Sequence, residues 1–135
     1  MRKLNEIAED LSQIIRTKFQ AVRLSGMQTG EQFLKELAPL NPATLPAVII
    51  AFRSAAFDNG NAVRSDMLEL VMVDRFRASS NDRALGIFRR YEDLLDLFPP
   101  EGRNENDVWY YPVETTLIPA DDAFVCIALS LKVQQ

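Results

Sequence analysis

Two apolar segments separated by a turn sequence constrain the fold of this chain more than any other feature. Ala47 to Phe57 (AVIIAFRSAAF) and Asp66 to Phe76 (DMLELVMVDRF) are dense in aliphatic and aromatic residues. Between them, Asp58-Asn59-Gly60-Asn61 tolerates the positive φ of a tight turn. The expected element is a β-hairpin. Ala47 to Phe52 and Leu70 to Val73 alternate little, and strands apolar on both sides are usually covered on both faces. Helices cover one face of a small sheet, and a neighbouring subunit is a candidate for the other.

A second hairpin is expected at the end of the sequence. Trp109 to Ile118 (WYYPVETTLI) reads as a strand in which Pro112 marks an edge or a bulge. Pro119-Ala120-Asp121-Asp122 turns the chain. Ala123 to Val133 returns, with Val125, Ile127, Leu129, Leu131 and Val133 alternating onto a core face. Alternation also sends Tyr110 to one face and Trp109 and Tyr111 to the other.

Helical periodicity supplies the rest. Leu4, Ile7, Leu11, Ile14, Ile15, Phe19 and Val22 recur at three- and four-residue steps, which predicts an amphipathic helix over residues 3–22. Its polar face is acidic, so it suits a sheet better than a membrane surface. Glu31 to Ala38 reads as a short helix stopped by Pro39 and Pro42, with Pro46 leading into the first strand. Ser79, Ser80, Asn81 and Asp82 offer capping oxygens for a third helix. Leu85, Phe88, Tyr91, Leu94, Leu95 and Phe98 then keep helical spacing up to Pro99-Pro100, with Arg89, Arg90, Glu92, Asp93 and Asp96 outside. Pro99 to Val108 reads as a polar loop, longer than most connections and suited to contact. The expectation is one α+β domain over residues 1–135: a mostly antiparallel four-stranded sheet of two hairpins, packed by two long helices and one short helix.

Composition narrows the function classes. The chain has 19 acidic and 15 basic residues and a net charge of −4, not the basic excess of a nucleic-acid binder. It contains no histidine, which removes Ser-His and Cys-His nucleophile activation and most zinc sites. No glycine-rich phosphate loop opens a helix. Asp121-Asp122, Glu92-Asp93 and Asp96 read as turn and solvated-face residues, not as metal ligands. Cys126 sits in an apolar strand and reads as a small buried hydrophobe. No catalytic residue, cofactor or metal is expected. Met1-Arg2-Lys3-Leu4 leads into an acidic amphipathic stretch in place of an apolar signal core, so synthesis in the cytoplasm is expected.

The order of elements resembles Mu-like prophage tail proteins, a family similar in architecture to the tail terminators of long-tailed phages. The resemblance runs through the first helix, the strands PAVIIAF and LELVMV, the helix ALGIFRRYEDLLDLF, and the pair WYYPVETTLI and FVCIALSLKV. It implies a non-enzymatic protein made in a bacterial host that assembles on itself as a ring, typically of six copies. The ring sits on the phage tail tube protein, stops tube growth and presents a surface to the head–tail connector. No membrane or sequence-specific nucleic-acid partner is expected. Contact residues expected from the loops and the aromatic strand are Asp58, Asn59, Asn61, Arg64, Arg103, Asn104, Trp109 and Tyr111. The alternatives are another head–tail joining or minor tail component, or a small cytoplasmic module that binds a ligand against the aromatic strand.

Overall fold

The structure is a computed structural model that describes residues 1–26, 44–75, 81–118 and 124–135. Two helices, α1 (Leu4–Arg16) and α2 (Asn81–Leu97), accompany six strands. In chain order the strands are β1 (Ala21–Gly26), β2 (Ala47–Asp58), β3 (Val63–Arg75), β4 (Arg103–Glu105), β5 (Val108–Ile118) and β6 (Phe124–Gln134). They form one mixed sheet in the order β1-β2-β3-β6-β5-β4. The class is α+β, but the expected four-stranded antiparallel sheet is corrected to six strands, with β1 parallel to β2. Both expected hairpin pairs are present, and β3 joins them by pairing with β6.

The two extra strands come from segments read otherwise. The long first helix stops at Arg16, because Thr17 turns its own hydroxyl onto the Ile14 carbonyl at 2.6 Å and competes with helix propagation. Phe19 and Val22 satisfy helical spacing by coincidence; Val22 lies on β1 and faces the core from there. The segment read as a loop after Pro99 contains β4. Its turn, Asn106-Asp107, has φ of 54° and 62°, the paired positive values of a two-residue hairpin connection. Asn and Asp tolerate this conformation without glycine. The short helix at Glu31 to Ala38, Phe76, the Ser79-Ser80 caps and the Pro119 to Asp122 turn lie outside the described residues.

Alternation along the strands sorts the core into two layers. Val48, Ile50, Leu68, Leu70, Met72, Leu129, Leu131 and Val133 point to the helices, where they meet Ile7, Leu11 and Ile15 of α1 and Leu94 and Leu97 of α2. Burial of each such side chain contributes about 1.5–3 kcal/mol. On the opposite face Ile49, Val71, Val73, Cys126 and Ala128 form a second cluster. They are at most 3% exposed within one chain, so this half of the face is covered without a second copy. Cys126 is buried there.

α2 carries two apolar stripes, and the sheet covers only one. Leu94, Leu97 and Phe98 are buried, whereas Leu85 and Phe88, expected to point inward, are 54% and 62% exposed. Arg90, expected on the outer side, lies 4.5 Å above the Phe19 ring and donates from Nη2 to the Lys18 carbonyl at 2.7 Å. It therefore ties α2 to the end of α1.

Candidate functional site

Strand register places the eight expected contact residues at one end of the sheet. Ala56, Ser65, Gln134, Trp109 and Asn104 are successive partners across β2, β3, β6, β5 and β4. This row spans about 19 Å at the usual strand spacing. Asp58, Asn59 and Asn61 lie at the adjoining β2–β3 hairpin tip, Arg64 follows on β3, Arg103 and Asn104 are on β4, and Trp109 and Tyr111 are on β5.

Several of these side chains already have work within the chain. Asp58 accepts from the Asn61 backbone N–H at 3.3 Å and from its Nδ2 at 2.8 Å, closing the hairpin tip. These bonds, the side-chain one foremost, hold the Asp58 carboxyl below its ordinary value. Positive φ in this turn falls at Ala62, at 54°. Arg64 holds the buried Asp66, Nη2 to Oδ1 at 3.1 Å. Arg103 pairs with Glu105 at 2.7 Å and donates to the Leu97 carbonyl at 3.3 Å.

Trp109 and Tyr111 stack with ring centroids 5.8 Å apart and planes 11° apart. They stand on the face away from the helices, with Trp109 still 41% exposed. Gly102 fits against them: a Cβ there would lie 2.5 Å from Tyr111 Cε1. The turn that brings Gly102 in is closed by its N–H bond to the Pro99 carbonyl at 2.8 Å. Tyr110 points the other way into the core, 0% exposed, and meets Phe98 at 6.3 Å. Its hydroxyl finds no partner, and burial pushes the phenol up to about 12, with Asp10 adding to the shift.

The sequence reading missed the exposed apolar side chains at the two lateral edges of the sheet. At the β1 edge, Leu24 is 56% exposed and helps to line an apolar cleft of about 220 Å³. Leu4 and Ala8 of α1 and Ile50, Phe52 and Leu68 of the sheet complete its walls. At the β5 edge, Val113 and Leu117 are 52% and 73% exposed. β4 pairs only with Val108 to Tyr110, so it leaves the rest of that edge uncovered. A bulge between Pro112 and Glu114 marks the start of this open stretch. Tyr91 Oη and Thr115 Oγ1 are bonded at 2.7 Å, which lays α2 along β5. One turn before Tyr91, Phe88 comes abreast of Leu117. The signal for this patch was the second apolar stripe of α2.

Among the described residues no group of three acidic, cysteine or histidine side chains converges as metal ligands do. Asp121 and Asp122 lie outside those residues. No helix among them is long and apolar enough to cross a membrane. Trp109 does not line the apolar cleft beside β1, nor a second of about 280 Å³ between α2 and β5. No protein-family model matches this sequence, and no curated protein matches it.

Proposed function

We propose that this chain is a structural component of a phage-type tail, acting as a terminator or completion protein that forms a ring of its own copies at the end of the tube. One observation carries the reading: large exposed hydrophobics sit on both lateral edges of one sheet, Leu24 beside β1 and Phe88, Val113 and Leu117 beside β5. Apolar patches at open strand edges are surfaces that pair with other chains. A chain with a patch on each of two opposite edges has what repeated head-to-tail association needs. The end row from Ala56 to Asn104, with the stacked Trp109 and Tyr111, is then the surface offered to the tail tube protein or to the head–tail connector.

The test is complementation of a phage lacking the gene with variants of the end row, Ala56→Arg, Lys132→Glu and Trp109→Arg. The reading expects loss of infectious particles while the purified variants melt within a few degrees of the parent. Full complementation by all three contradicts the assignment of that surface to tail partners.

A further inference from the structure

The two lateral patches differ in shape and in charge. The β1 edge is concave: its cleft of about 220 Å³ is lined almost wholly by aliphatic and aromatic carbon, with Asn5 the polar neighbour. A cavity of about 150 Å³ lined by such side chains accepts a benzene ring, so this volume accommodates a phenylalanine ring. The β5 edge is convex: Phe88 stands 62% exposed on α2, with Leu85 one turn before it and Leu117 beside it on the strand.

Charge follows the same division. Glu92 is exposed one turn after Phe88, and Glu114 is exposed between Val113 and Thr115. At the cleft, exposed Lys3 precedes the lining residue Leu4, and exposed Arg23 precedes Leu24. The α1 N-terminus beside Lys3 adds its positive dipole end. Acids flank the knob and bases flank the hole. Two β5 edges brought together would oppose Glu114 to its own copy, whereas a β5 edge against a β1 edge opposes unlike charges.

We infer that the occupant of the cleft beside β1 is Phe88 of a second copy of this chain, so that the α2–β5 edge of one protomer docks on the α1–β1 edge of the next. The inference rests on the self-assembly reading and specifies its contact. Because knob and hole lie on opposite edges, the contact is head-to-tail, and repeating it closes a ring or extends a filament. Leu117 and Val113 cover the rim of the cleft, and Glu92 and Glu114 face Lys3 and Arg23.

Mixing two complementary variants of the full chain tests this contact. Phe88→Asp destroys the knob and keeps the cleft; Leu24→Asp destroys the cleft and keeps the knob. Both positions are exposed, so both variants are expected to keep the parent's melting behaviour. In sedimentation velocity the parent is expected to associate, and each variant alone to run as a monomer. An equimolar mixture should run as a dimer, because one intact knob meets one intact hole. Parent behaviour in each single variant overturns the contact and leaves self-assembly standing through other surfaces. Monomers in the mixture overturn it as well, as does a parent that stays monomeric at about 1 mM, where a contact of about 4 kcal/mol already associates. A small apolar molecule co-purifying in the cleft, seen by native mass spectrometry, assigns the cleft to a ligand and overturns it too.

Discussion

The carboxylate of Asp66, 1% exposed, is held by Arg64 two residues earlier on the same face of β3, with Nη2 3.1 Å from Oδ1. Asp66 lies in the row of Val133, Tyr110 and Ala55, on the helix side of the sheet. A buried charge with one partner is costly to orphan. Arg64→Met is therefore expected to lower stability by on the order of 3 kcal/mol in urea unfolding. The double variant Arg64→Met/Asp66→Leu should recover most of that loss. Equal losses in the single and double variants would show that the pair is not coupled.

Gly102 has φ of 97° and stands where any Cβ meets the ring of Tyr111. Gly102→Ala combines a strained backbone with displacement of the Trp109–Tyr111 stack, an expected cost of about 1–3 kcal/mol. Trp109 is the sole tryptophan, so its emission spectrum in the folded state should shift as the stack moves. An unchanged spectrum with unchanged stability contradicts the packing described for this turn.

Tyr110 gives a prediction in pH. Its phenol is raised to about 12 from an ordinary value near 10, so the folded state keeps the proton after the unfolded chain has lost it. Stability from this group is complete below about pH 10 and falls as pH rises toward 12, by up to about 3 kcal/mol. Tyr110→Phe should abolish that part of the alkaline loss. At neutral pH it should be neutral or stabilising by up to about 1 kcal/mol, because the hydroxyl it removes is buried without a partner. A large loss at neutral pH would reveal a partner for the hydroxyl.

Arg90 joins the helices through its stack on Phe19 and its bond to the Lys18 carbonyl. A lysine keeps the charge but loses the planar group that makes both contacts at once. Arg90→Lys is expected to cost about 1 kcal/mol in thermal or urea unfolding. No loss would return Arg90 to the solvated face on which periodicity placed it.

The parts of this fold legible in the sequence are those where one periodicity acts alone. β2, β3 and β6 alternate or run apolar between clear turns, and their pairing follows. The opposite facing of Tyr110 and its two neighbours was legible for the same reason. The misreadings occur where two periods fit. Phe19 and Val22 suit a helix and a strand equally, and what decides is Thr17 folding back on Ile14. In α2, both the Leu85–Phe88 stripe and the Leu94–Leu97 stripe are helical, and only the position of β5 determines which is buried. β4 is three residues long, too short for alternation to register, and its turn uses Asn-Asp without glycine. The cleft beside β1 joins residues from α1, β1, β2 and β3, a proximity that depends on the parallel β1–β2 pair. The resemblance to tail proteins anticipated an assembly surface, but the contact residues drawn from it lie on loops and strand ends. The larger apolar patches are lateral.

The central claim is that this chain completes a phage-type tail, and electron microscopy of particles from a bacterial host with the gene deleted tests it most directly. The account predicts overlong or headless tails, restored to normal length when the gene is supplied in trans. Particles of normal length carrying heads in the deletion strain would contradict it.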